Sequence, residues 1–377
     1  MSQNFLTADL IAKESLMRLR NQLVMKNLVH VDFSDEFKAQ GDTVQIRKPA
    51  TFTANDFTGA ADVSVQDIVE QNVNVKLDKI ADVTVEVTAK ELSLNIEDFG
   101  KQVSDGAMQA LAQKIDYELC QLYKYTPYYA GTLGNNPATL AHLAGGRKVL
   151  MDNKAPLLNR RGVFDPTAAA NLLQLDVISK VSDSGQTAGL REAQMGRVLG
   201  LDLYESQNME NHTRGSWHDQ SPQISGTPAA GSTTITVKNL TAGAHVIKAG
   251  DLFTINAFSK TYTVVEGVDV SEGSDTTAEI KIYPGLEAEG VNNAAITVLV
   301  NHATNLIFHR DAFALVTRPM ALPIGGAWGA VESFEGLTLR VTADYGMARK
   351  KNTMSFDILY GVKCLEPKLA VRVSGTA

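Results

Sequence analysis

An apolar stripe at helical spacing runs through "NIEDFGKQVSDGAMQALAQKIDYELCQLY": Ile96, Phe99, Val103, Ala107, Leu111, Ile115, Leu119 and Leu122. At 1.5 Å per residue it predicts one amphipathic helix about 40 Å long. Asn95 is the expected N-cap, and Glu97 and Asp98 suit the positive end of the helix dipole. Gly100 and Gly106 each weaken the helix by roughly 1 kcal/mol relative to Ala, so bending is expected there. The rest of the chain must be organised around this spine.

Before the spine, Asn4 to Val24 reads as a short amphipathic helix carrying Leu6, Leu10, Leu16, Leu19 and Leu23. A helix of that length must dock on something to be stable, so it reads as an arm. From Gly41 to Val87 the period switches to two. Val44 and Ile46 share a face, Val73, Val75 and Leu77 align, and so do Val83, Val85 and Val87. The turn-rich stretch "PATFTANDFTGAADVSV" between them predicts a long β-hairpin with a weakly packed tip. Such a hairpin is an aggregation hazard unless a partner covers it. Phe52 and Phe57 lie in that tip and Arg47 and Lys48 beside it, which makes them candidate intersubunit contacts.

After the spine, an α/β stretch is expected: a helix from about Ala138 to Asp152, a strand at Gly162–Phe164 and a helix opening at Pro166. Asp165 is the expected N-cap, and Pro166 at the first helical position loses no hydrogen bond. From Pro222 to about Val300 turn clusters separate five short strands, which suggests a small antiparallel barrel or sandwich inserted into the α/β region. A segment of that size is expected to fold alone. In the tail, Leu337, Leu339 and Val341, then Met354, Phe356, Ile358 and Tyr360, then Leu369, Val371 and Val373 alternate. One mixed sheet packed on the spine is the simplest use of all three runs.

The 377 residues carry a formal net charge of -7, which argues against gripping nucleic acid along a basic surface. No apolar run is long enough to span a membrane, and the first residues lack a signal-peptide core, so a cytoplasmic product is expected. Cys120 and Cys364 are expected as two buried free thiols. No catalytic, cofactor-binding or metal-binding residues are assigned. "AGGRKVL" lacks phosphate-loop spacing. His302, His309 and Asp311 lie close together in sequence, but His309, Arg310 and Asp311 read as a helix start with polar caps rather than as ligands. Glu266, Asp269, Glu272 and Asp275 read as a solvated turn rather than a calcium loop. Arg160 and Arg161 lie in a loop, as solvated or subunit-contacting arginines.

The order of parts, with "TAKELSLNIEDFGKQVSDGAMQALAQKID", "LMDNKAPLLNRRGVFDPTAAANLL", "LIFHRDAFALVTRP" and "GLTLRVTADYGMARKKNTMSFDILYGVKCLEP", resembles the major capsid proteins of tailed bacteriophages. The resemblance is nearest to the coat proteins of the Salmonella short-tailed phage class, which carry an inserted β-domain. It implies an α+β capsid fold: an N-terminal arm (1–35), an extended hairpin loop and peripheral strands (36–90), and a spine helix (91–130). An axial domain (131–221 and 301–328) interrupted by a β-barrel-like insertion (222–300), and a peripheral sheet (329–377), complete it. It further implies self-assembly as pentamers and hexamers into an icosahedral shell of hundreds of copies, built in the host cytoplasm and present in the virion. Scaffolding and portal proteins would be partners, and DNA would be enclosed without sequence-specific binding; no membrane is involved. An encapsulin-type compartment shell and a soluble hydrolase or glycan-binding protein are the alternatives.

Overall fold

The computed structural model describes residues 8–31, 43–48, 71–88, 96–180, 192–240, 245–270, 277–323, 328–334, 336–347 and 351–376. The chain divides into two compact units. The first comprises Met1–Leu23, Val31–Ile115 and Ala314–Leu365; the second comprises Val24–His30, Asp116–Phe313 and Glu366–Ala377. The spine helix is continuous over Ile96–Cys120 and contributes to both. The expected cap Asn95 lies outside the described residues, as do the hairpin-tip residues Phe52 and Phe57.

In the first unit, strands Thr43–Lys48 and Gln71–Lys76 form an antiparallel two-stranded ribbon, Thr43 opposite Lys76 and Lys48 opposite Gln71. Val44, Ile46, Val75 and Leu77 turn to one side and are buried against Ala314, Val316 and Leu365. The third alternating run does something else. Strand Lys79–Thr88 pairs with Lys351–Cys364 rather than extending the ribbon, and joins the sheet of Phe313–Arg318, Lys351–Cys364, Leu337–Gly346 and Trp328–Phe334. Helix Ala8–Gln22 docks within this unit through Ala12, Leu16 and Leu19. Its Ser15 hydroxyl meets that of Ser104 on the spine at 2.9 Å, and its Arg18 pairs with Asp105.

In the second unit a sheet runs in the order Tyr129–Ala130, Ala370–Val373, Leu306–His309, Arg160–Phe164, Leu201–Glu205, Arg197–Val198. The expected single tail sheet is therefore corrected: Ala370–Val373 belongs here, paired with Leu306–His309, not with the two preceding strands. Alternation marks a strand but does not say which neighbour it joins. Helix Leu140–Asp152 crosses one face. A Cβ at Gly146 would come within 2.8 Å of Val373 Cγ2 and 2.9 Å of Ile307 Cδ1, so the second glycine of "AGGRKVL" serves close helix–sheet packing. Asp165 caps helix Pro166–Leu173 by accepting from the Thr167 and Ala168 N–H groups, both at 3.3 Å.

A β-rich segment of this unit has its own sheet, in the order Ile296–Val298, Leu252–Ile255, Thr261–Val264, Thr277–Tyr283, Thr234–Lys238, Gln223–Ser225. Trp217, Ile224, Ile235, Val237, Phe253, Tyr262, Ile280 and Ile296 are among the side chains of its separate apolar core. Strands His245–Ile247 and Val268–Val270 add a small second ladder.

Candidate functional site

The candidate contact residues do not converge. Arg47 and Lys48 lie on the ribbon opposite Asn72 and Gln71. Arg161 is half-buried and donates from Nη1 to the Asn27 carbonyl at 2.6 Å, helping to hold the segment Val24–His30 in the second unit. Asp116 does the same from the spine, accepting from the Val24 and Met25 N–H groups at 2.8 and 3.2 Å. Burial, opposed by these bonds, raises its carboxyl to about 6.

Arg160 requires a correction. Its side chain is 2% exposed and cannot serve as a surface contact. Nε donates to the Pro156 carbonyl and Nη2 to the Ala155 carbonyl, each at 2.7 Å, so the guanidinium ties down the loop after helix Leu140–Asp152. The loop then presents Leu157 and Leu158, the latter 71% exposed. In the first unit Trp328, Tyr345 and Met347 are also exposed, Met347 at 84%.

His309 accepts from the Asp311 N–H at 3.2 Å and so caps a short 3-10 turn, while Asp311 also meets the His30 ring at 2.9 Å. Glu266 pairs with Lys281 at 2.9 Å. Among the described residues no cluster of histidine, cysteine or carboxylate side chains could hold a metal ion. Cys120 and Cys364 are both buried free thiols, and burial pushes Cys120 up to about 12, which makes it inert.

The densest polar constellation lies at the neck of the β-rich segment. The chain enters the segment after strand Asn211–His212 and leaves it through His302–Ala303, and these strands pair with His302 directly opposite His212. Tyr123 Oη lies 2.8 Å from His212 Nδ1, and His212 Nε2 lies 2.9 Å from Asp251 Oδ1. The carboxylate fixes the tautomer: Nε2–H donates to it, which leaves Nδ1 to accept from the tyrosine. Asp251 is wholly buried and also accepts from Gly215 N, Trp217 Nε1 and Lys248 N at 3.1, 2.8 and 3.0 Å. Charge-assisted bonds of this kind are what make a buried carboxylate tolerable.

Arg372, from strand Ala370–Val373, is the second buried charge. Nη1 donates to the Gly250 carbonyl at 3.0 Å and to His302 Nε2 at 2.9 Å; Nη2 donates to the Tyr123 carbonyl at 3.0 Å. Its guanidinium carbon sits 5.0 Å from the Tyr123 ring centroid. Burial lowers Arg372 to about 10 and, together with Arg372 itself, drives His302 down to about 3. Carboxylate, imidazole and hydroxyl stand in line as in a hydrolase relay, but Asp251, His212 and Tyr123 are all sealed from solvent. A relay with no access for substrate performs no turnover. This constellation holds structure together.

Sequence reasoning singled out only His302 of this group. The remaining signal is weak: Arg372 interrupts an otherwise apolar buried strand, "AVRV".

Residues 256–375 match the family described as the P22 coat protein, gene protein 5. A solved structure from Mycobacterium phage Che8 is similar at 16% identity and a TM-score of 0.51, covering 93% of this chain and 90% of its own. The capsid of the cyanophage P-SCSP1u is similar at 13% identity and 0.46, over 90% and 84%. The mature capsid of bacteriophage PhiM1 gives 12% and 0.47, over 92% and 85%. No curated protein matches the chain. The fold is that of tailed-phage capsid proteins. Over residues 256–375 the chain thus matches a phage coat-protein family, and its overall fold is similar to that of the Che8 phage structure.

Proposed function

We propose that this chain self-assembles, as pentamers and hexamers, into a closed shell of hundreds of copies around a double-stranded DNA genome, with scaffolding and portal proteins as partners and assembly in the host cytoplasm. The reading rests most on apolar side chains that a single subunit leaves in water: Leu157 and Leu158 on the Arg160-clamped loop, and Trp328, Tyr345 and Met347 in the other unit. Contiguous exposed apolar surface marks association, and the adjacent pair Leu157–Leu158, like Tyr345 with Met347, sets two such side chains close together in the chain. Phe52, Phe57, Arg47 and Lys48 are proposed to clasp an adjacent subunit, with Arg161 and the Leu157–Leu158 loop contributing nearer the axial sheet. The β-rich segment is proposed to be an inserted domain, here bounded by its neck. The net charge of -7 suits a wall that encloses DNA without holding it. Sedimentation and electron microscopy of the chain coexpressed with its neighbouring virion genes test this. Closed particles are expected; monomers or dimers under all such conditions would overturn it.

A further inference from the structure

The neck has an asymmetry that goes beyond shell building. Its two histidines face each other across one ladder position, with ring centroids 5.3 Å apart, yet their hydrogen bonds require different things of them. His302 is bonded at both nitrogens: Nδ1 lies 3.0 Å from the Val300 carbonyl, and Nε2 faces the Arg372 guanidinium. A carbonyl only accepts and a guanidinium only donates. His302 must therefore carry its proton on Nδ1 and keep a lone pair on Nε2, so only the neutral ring fits. His212 differs, because a second proton on its Nδ1 would meet a tyrosine hydroxyl that can rotate to accept, and its other nitrogen already faces Asp251.

The surrounding charges do not relieve a protonated His302. Arg372 and Lys248 are cationic, and the Lys124 backbone closes over Gly250 from the spine's end. Asp251 is already bonded to four N–H groups, and Glu210 acts on Tyr123 from the edge of the cluster. Arg372 is also what joins the sheet strand Ala370–Val373 to the β-rich segment, through the Gly250 carbonyl and, at 3.4 Å, the Thr263 hydroxyl. The segment's own anchor does not depend on it: Gly215, Trp217 and Lys248 bind Asp251 from within the segment, and its apolar core contains neither histidine.

We propose that the neck is a proton-operated latch: a proton added at His302 Nε2 sets an N–H against the Arg372 guanidinium, and the β-rich segment comes away from the sheet with its own fold intact. The sign follows from the ring's two environments. In the closed neck His302 is held down to about 3, while an opened neck returns it to the ordinary 6.5. The closed state is thus fully favoured above pH 6.5 and loses its advantage as pH falls from 6.5 towards 3.

Amide hydrogen exchange of the full-length chain at pH 7.5 and 4.5, corrected for intrinsic exchange, tests this. The neck strands Asn211–His212 and His302–Ala303 should open about a hundredfold more readily at the lower pH. Strands Thr234–Lys238, Leu252–Ile255 and Thr277–Tyr283 should keep their protection. In His302→Gln, whose amide oxygen can still accept from Arg372, the acid response should be lost; His212→Gln should retain it. A neck indifferent to pH, a neck and segment that open together, or a full acid response in His302→Gln would each overturn the proposal. Should the Gln variant fail to fold, nitrogen NMR of the wild-type histidine rings decides. His302 must be protonated on Nδ1 at pH 7.5 and titrate well below 6; an Nε2–H form or a midpoint near 6.5 overturns it.

Discussion

Two β structures in this chain solve the burial problem in opposite ways. The β-rich segment encloses its own core, in which Trp217, Phe253 and Tyr262 pack ring against ring and the facing strands supply Ile235, Val237, Ile280 and Ile282. The ribbon of Thr43–Lys48 and Gln71–Lys76 has only two strands, and it buries Val44, Ile46, Val75 and Leu77 on residues from the far end of the chain, Ala314, Val316 and Leu365. A two-stranded ribbon is marginal in water by itself. The first structure has an apolar core of its own; the second buries its apolar face on a distant part of the chain.

The largest expected effect comes from the borrowing side. Replacing Thr51–Gly59 with an Asn-Gly turn should abolish shells in microscopy while subunits stay soluble and the β-rich segment melts unchanged. Normal shells of equal stability would mean that the ribbon is not a clasp, and the contrast would carry no function. Next is Trp217→Ala, which removes a wholly buried ring and one of the donors to Asp251. It should cost about 3–5 kcal/mol in urea unfolding of the segment, with the ribbon's amide exchange unaffected. Equal loosening of both would show that the segment is not independent.

Asp116 sharpens the comparison by pH. Its carboxyl sits at about 6 when folded, above its ordinary 3.8, so its favourable contribution is present below 3.8 and lost as pH rises through 6. In a His302→Gln background, acidification across that window should strengthen the Val24–His30 anchor by up to about 3 kcal/mol, and Asp116→Asn should remove the gain. Unchanged pH dependence of the urea midpoint in Asp116→Asn would reject this assignment. The smallest effect is expected at Ile46→Ala, about 2 kcal/mol, because the site lies in a thin layer that can collapse. Exchange at the ribbon should rise while the segment's urea midpoint stays put.

Local chemistry explains which parts were legible in the sequence. The spine helix, the Asp165–Pro166 cap and the five expected runs of the β-rich segment are written in short-range periodicity and capping, and strands form at each of those runs. The run at 262–270 splits into Thr261–Val264 and Val268–Val270, and the short strands Gln223–Ser225 and His245–Ile247 were not foreseen. Pairing was less legible. Strand Lys79–Thr88 looked like part of the hairpin, and Ala370–Val373 looked like a third tail strand, because period-two alternation is the same whatever the partner. The neck was almost invisible. His212 and Asp251 are 39 positions apart, and Arg372 and Tyr123 are 249 apart, so no motif unites them. Arg160 misled for a related reason: it reads as a solvated loop residue, whereas it opens strand Arg160–Phe164 and the carbonyls of the preceding loop fold around its guanidinium.

The pairing of His302 with His212 also has a consequence for how the chain tolerates change. Partners across an antiparallel ladder have Cα atoms about 4.5–5.5 Å apart. Everything between those two positions therefore leaves and re-enters the sheet-bearing unit through one narrow gate. Swapping that length of chain for a foreign module whose two ends also lie side by side would alter loop-closure entropy only slightly, since that cost grows slowly with length. The gate is a grafting point, where an enzyme or an epitope could take the place of the β-rich segment and be carried once per subunit, provided that the graft keeps the Gly250 carbonyl and Asp251 carboxylate that partner Arg372 and His212.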